Sequence, residues 1–201
     1  MKNITLALAL LIGFLSYGQK DNGTITLLDG SVLTGLVKAT SSSFKFKANK
    51  NDKAVKYDHA TATSATVTNK DNEVLKYEFV YVDYQEKPLL LTVLREGFLT
   101  LYGEFSTHFY AGGMGMGVGI GGGMGMGMGG SSSTYHIKRA TDKMGQYYIA
   151  YGYIPKVGFK KVIKSYFTDC PQLQEKVEKG EFKKDDFEAI VLFYNDHCAP
   201  K

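Results

Sequence analysis

Tryptophan is absent, and cysteine occurs only at positions 170 and 198. Two cysteines that far apart lack the close C-x-x-C spacing of a redox motif, and they are too few for a structural zinc site. The chain contains no G-x-S-x-G, H-E-x-x-H or Walker sequence, so the common signatures of hydrolases, zinc proteases and nucleotide binders are missing. Gly117-Val118-Gly119-Ile120-Gly121-Gly122 satisfies G-x-G-x-x-G. Any glycine-rich run does so, and here no helix pattern follows and no βαβ unit surrounds it, so dinucleotide binding is not supported. A strong charge excess is lacking too. The formal charge is +4, and +3 without Lys2, too mild for a nucleic-acid binder, which wants a clustered basic footprint. No nucleophile, base and orienting group can be assembled from the spacing of polar residues, so the chain reads as non-enzymatic.

What is present begins with MKNITLALALLIGFLSYG. Lys2 supplies a positive start, Ile4 to Leu15 an apolar stretch, and Ser16 and Gly18 the small residues that precede a cut before Gln19. This predicts a signal peptide over 1–18 and export to the periplasm or the extracellular space. The run is short for a transmembrane span and is followed at once by polar residues. No cysteine follows it, so a lipoprotein anchor is not indicated. In an oxidising compartment the pair Cys170 and Cys198 predicts one disulfide rather than two free thiols. Closing a loop of that length contributes roughly 3–4 kcal/mol in the chain-entropy description.

From Gly23 to Asp83 short β-prone runs alternate with turn signals. They are Thr24 to Leu28, Ser31 to Lys38, Phe44 to Lys47, Lys53 to Tyr57, Ala62 to Thr68 and Glu73 to Val82. Asp29-Gly30 is a hairpin turn, and Gly35 inside a strand marks a bend or bulge. Five or six short, bent strands predict a small barrel-like unit over 19–87. Pro88 to Glu104 and Tyr135 to Arg139 read as a second β-unit. Beyond them the pattern turns helical. Phe159, Val162, Ile163 and Tyr166 share one face; Pro171 opens a short helix closed by Gly180; Phe187, Ile190, Val191 and Tyr194 line a third. Lys156, Lys160, Lys161 and Lys164 read as a solvated helix face rather than a lipid contact. Asp185-Asp186 reads as a helix N-terminal charge pair, His59 and His197 as surface or capping residues. Tyr147, Tyr148, Tyr151 and Tyr153 fit core and edge packing as well as a binding surface.

Residues Thr26 to Val37, with Asp29-Gly30 and Gly35, resemble the strand pair of small SH3-like and Sm-like barrels. That resemblance implies a fold for one hairpin only, since the residues with which Sm proteins contact RNA have no counterpart here. Tyr166-Phe167-x-Asp169-Cys170-Pro171-x-Leu173 and Tyr194-Asn195-x-x-Cys198 resemble the tails of uncharacterised exported proteins of Bacteroidota. Glu96-Gly97-x-x-x-Leu101-Tyr102 and Tyr135-x-Ile137-Lys138 are similar to them as well. The resemblance covers Pro88 onward apart from a central insertion, implies a cell-envelope setting, and carries no known activity.

That insertion is AGGMGMGVGIGGGMGMGMGG, from Ala111 to Gly130, which holds five of the seven methionines and twelve of the twenty-three glycines. Met114, Met116, Val118, Ile120, Met124, Met126 and Met128 fall at even positions, while the odd positions from 113 to 129 are glycine. This is the period of an extended strand. A turn at Gly121-Gly122-Gly123 would place Met116 opposite Met128 and, lower down, His108 opposite His136. Thioether and imidazole are soft ligands, so Met114, Met116, Met124, Met126, Met128, His108 and His136 are candidate ligands for Cu(I) or Ag(I). The plainer reading, which the following Ser131 to Ser133 favours, is a low-complexity insertion over 111–133 in a hairpin loop. Spanning a membrane is refused, because twelve glycines disfavour a helix and an open ribbon leaves backbone groups unpaired in hydrocarbon.

The expectation is thus an exported α+β protein. It comprises a signal peptide (1–18), an N-terminal β domain (19–87), and a β-hairpin region with a helical tail (88–201). Its role is that of a structural or interaction module with no cofactor, meeting another envelope protein and neither nucleic acid nor a membrane surface. The alternative is a Cu(I) or Ag(I) binder.

Overall fold

The computed structural model describes residues 21–69, 71–82, 85–105, 133–151 and 158–200. Among these residues ten strands come first: β1 (Asp21–Leu27), β2 (Val32–Ala39), β3 (Phe44–Lys47), β4 (Val55–Tyr57), β5 (Ala62–Thr68), β6 (Val74–Val80), β7 (Leu89–Arg95), β8 (Leu99–Phe105), β9 (Ser133–Arg139) and β10 (Gln146–Tyr151). Three helices follow, α1 (Phe159–Tyr166), α2 (Pro171–Glu178) and α3 (Phe187–His197). The strands join in one sheet, in the order β10-β9-β8-β7-β6-β5-β1-β2-β3-β4. The α+β class holds. The tyrosine-rich segment around Tyr148 is a strand, β10, and Tyr148 is buried in the core.

The local devices are those the residues call for. Gly30 takes φ +84° in the β1–β2 turn, where Asp29 accepts from the Ser31 backbone N–H at 2.9 Å. Gly180, at φ +76°, ends α2: its N–H donates to the Val177 carbonyl and that of Glu181 to the Lys176 carbonyl, the paired bonds of a left-handed helix terminus. Pro171 occupies the first turn of α2, where its missing N–H costs no intrahelical bond.

The six N-terminal strands do not form a closed barrel. β6 pairs with β7, so the sheet continues into the second β-unit, and β4 and β10 are its edges. The N-terminal part curls instead. The ring of Phe44 on β3 lies 5.3 Å from that of Phe79 on β6, four places along the sheet. Gly23 and Gly35 make the curl possible. They oppose each other across β1 and β2. A Cβ on Gly23 would collide with the Thr66 carbonyl, and one on Gly35 would stand 2.5 Å from the Lys47 carbonyl. Inside the curl Ile25, Val37, Phe44, Phe46, Ala65 and Val67 form one core.

At the other end, the helices cover one face of β8, β9 and β10. Leu99, Leu101, Ile137 and Tyr148 meet Ile163, Phe167, Leu173, Ile190 and Tyr194 in the largest core. Of the helical stripes read from the sequence, Val162 and Ile163 on α1 and Ile190, Val191 and Tyr194 on α3 are buried; on α2 the buried residues are Leu173 and Val177. Cys170, just before α2, and Cys198, just after α3, are disulfide-bonded with Cα atoms 5.6 Å apart. On the opposite sheet face Val80, Val82, Leu91 and Tyr102 form a third cluster. A single bridge between Val82 and Gly145 brings the end of β6 beside the start of β10.

Candidate functional site

β8 and β9 flank residues 106–132, and their pairing decides what stands at the base of the insertion. Leu99 opposes Arg139, Leu101 opposes Ile137, Tyr102 opposes His136 and Phe105 opposes Ser133. His136 therefore faces Tyr102, and the opposition of His108 to His136 expected from a turn at Gly121 to Gly123 is corrected. The physical reason is that burial sets the register here. Leu99, Leu101 and Ile137 are all fully buried beneath the helices, and a slip would carry them out of that core. His108, Met114, Met116, Met124, Met126 and Met128 lie outside the described residues, as do residues 1–18, expected to be a signal peptide, and residues 111–132 of the insertion.

His136 is 1 % exposed, with Nε2 3.4 Å from Oε2 of Glu104, its diagonal neighbour on the same face. Tyr102 beside it donates from its hydroxyl to Oε2 of Glu78 at 2.9 Å. Lys76 completes the group, 3.0 Å from Glu78 and hydrogen-bonded to Glu96. Burial, then the Glu78 charge, pushes the Tyr102 hydroxyl well above its ordinary pKa, so it remains a donor. The arrangement is a row of polar groups along one sheet face: Lys76 and Glu78 on β6, Tyr102 and Glu104 on β8, His136 on β9. Among the described residues no three His, Cys, Asp or Glu are placed to hold a metal ion, and neither cysteine is free.

A second constellation joins the sheet to the helices. The Arg139 guanidinium donates from Nε to the Tyr194 hydroxyl at 2.9 Å, and from Nη2 to the Tyr166 carbonyl at 2.7 Å and to Asp169 at 2.8 Å. It also lies 4.1 Å from the centre of the Tyr166 ring. The Tyr194 hydroxyl in turn donates to Asp169, and that of Tyr166 to Asp142. Burial works against the Arg139 charge, but the Tyr194 hydrogen bond and the Asp169 carboxylate hold its pKa above the usual value. Burial first, then the acceptor carboxylates Asp142 and Asp169, raises Tyr166 and Tyr194. A hub so fully bonded within the protein locks elements together; it leaves little of the guanidinium for a ligand.

The sequence reading missed Arg139, yet a signal was there. The chain has only two arginines among its twenty-four basic residues, and both bind the helical layer. Arg95 on β7 is the other, with Nη2 2.8 Å from Glu188 of α3. Arginine suits such planar, multiply bonded positions where lysine does not.

The other features flagged in the sequence take local roles. His59 packs 6.2 Å from the Phe79 ring, and His197 lies 4.4 Å from Phe193 in the last turn of α3. Asp186 precedes α3 and accepts from the Lys183 N–H. Lys160 and Lys164 border a shallow groove of about 430 Å³ between α1 and α2, with Lys160 3.4 Å from Glu178. No helix among the described residues is long and apolar enough to cross a membrane. No protein-family model, curated protein or solved structure matches the chain.

Proposed function

We propose that the chain is an exported cell-envelope protein that acts as a structural or interaction module rather than an enzyme. The observation that carries this reading is the Cys170–Cys198 bond. It ties both cysteines across the helical layer, and such a bond persists where thiols are not kept reduced. The two arginines fasten the same layer to the sheet, so the molecule is built as a rigid support for the strands that lead into and out of residues 106–132. The N-terminal curl, with Phe44 against Phe79, supports reading β1 to β6 as a small barrel-like unit within that support. Mass spectrometry of the protein taken from its native cells tests the reading. A chain beginning at Gln19 with no free thiol is the expected result; an intact Met1 with two free thiols overturns it.

A soft-metal reading is kept alive by His136. It stands three residues beyond Ser133 on the strand that leaves the insertion, next to a carboxylate. Cu(I) titration against a competing chelator, with the whole chain and with a variant lacking residues 112–130, tests it. Equal affinity in the two removes the insertion as a metal site.

A further inference from the structure

Lys38, Lys45 and Lys56 stand opposite one another on three neighbouring strands. Lys38 on β2 pairs with Lys45 on β3, and Lys45 pairs with Lys56 on β4. Opposed residues share a sheet face, and strands are about 4.8 Å apart, so three ammonium groups are spread over roughly 10 Å. All three are exposed. Among the described residues no carboxylate forms an ion pair with any of them; the paired lysines are 76, 160, 176 and 179.

Like charges directly opposite destabilise a sheet. Guarding an exposed edge against strand pairing would call for a lysine on β4 alone. Lys38 and Lys45 sit on strands already paired on both sides, so edge protection does not account for them. The same face also carries Lys47 and half-buried Leu36, which oppose each other on β3 and β2, and a threonine row, Thr34, Thr24 and Thr66, in register on β2, β1 and β5, with the Thr24 and Thr66 hydroxyls 2.6 Å apart. Asp21 is the only acidic residue of β1 to β5, and it opposes Val37 on the core face. Leu36 beside the row is half-buried, and exposed Val32 lies six residues from Lys38 along β2, about 20 Å away, so no exposed large apolar side chain of β2 stands next to the row for entering a bilayer.

We propose that this face binds an acidic polysaccharide, with the lysine row pairing to its carboxylate or sulfate groups and the threonine field hydrogen-bonding its hydroxyls. The inference rests on the reading of the chain as an exported interaction module and names the chemistry of its partner.

The test uses the full chain and three variants: K38Q/K45Q/K56Q, K38R/K45R/K56R, and K160Q/K161Q/K164Q as a control for charge elsewhere. The probes are polygalacturonate, heparin and vesicles containing phosphatidylglycerol, with far-UV dichroism checking that every variant folds. The wild type, the arginine variant and the control should bind one or both polymers alike. The sheet glutamine variant should bind at least about tenfold more weakly, with a salt-dependence slope lower by roughly two to three. Equal binding by that variant, an equal loss in the control, or tighter binding to vesicles than to either polymer would overturn the proposal. A wild type that binds neither polymer would overturn it too, while a chain cleaved before Gln19 with its disulfide intact would leave the export reading standing.

Discussion

Asn195 serves Leu99 as a strand would. Its Nδ2 donates to the Leu99 carbonyl at 2.9 Å and its Oδ1 accepts from the Leu99 N–H at 2.8 Å, across 96 residues of sequence. The β7–β8 ladder ends with the Arg95 and Leu101 pair, so this side chain of α3 satisfies the next backbone groups of β8. Gly97 leaves room for it: a Cβ there would overlap the Asn195 amide.

Asn195→Ala should therefore orphan two polar groups of a fully buried residue, each costing about 1–3 kcal/mol. Gly97→Ala should destabilise through the same contact by displacing the amide. Denaturant unfolding checks both. Stabilities within about 0.5 kcal/mol of wild type, the range of ordinary surface changes, would contradict the clamp.

Replacing both cysteines by alanine opens a covalent link between residues 28 apart. The expected loss is roughly 3–4 kcal/mol, and reductant should lower the unfolding midpoint of the wild type but not of the variant. A wild type indifferent to reductant would show that the helical layer holds without its staple.

Arg139→Lys keeps the charge but gives up the planar donors that reach Tyr194, Tyr166 and Asp169 together. A loss of about 2 kcal/mol is expected, against little change for Lys138→Arg on the neighbouring position. Calorimetry of the two variants side by side decides it, and equal melting temperatures would dismiss the hub.

Among the described residues Tyr102, Tyr166 and Tyr194 have hydroxyls raised above their ordinary pKa by burial and then by acceptor carboxylates. The unfolded chain ionises them near pH 10, and the folded one holds the proton longer. Their contribution to stability is complete below pH 10 and is lost as the pH rises beyond it. Absorbance near 295 nm should show a fraction of the phenols ionising only as the far-UV signal collapses. Full ionisation near pH 10 with native dichroism intact would refute this.

Much of the fold could be read in advance because its signals are short-ranged. Phe44-Lys45-Phe46-Lys47 alternates and is β3; Asp29-Gly30 turns β1 into β2; Phe159, Val162, Ile163 and Tyr166 recur with the helical period and mark α1. β10 escaped because Gln146 to Tyr151 carries no alternation of polar and apolar residues. The lysine row also escaped. Lys38, Lys45 and Lys56 look unremarkable along the chain, and only strand register sets them side by side.

The residues alone determined where the strands other than β10, the turns and the helices fall, and that the two cysteines would pair, since each follows from backbone geometry or from elimination among few partners. Tertiary packing decided the rest: one sheet carried across residue 88, His136 facing Tyr102 instead of His108, and Arg139 converging on two helices. Those outcomes depend on which apolar faces bury together across tens of residues of chain, a choice that no local period encodes.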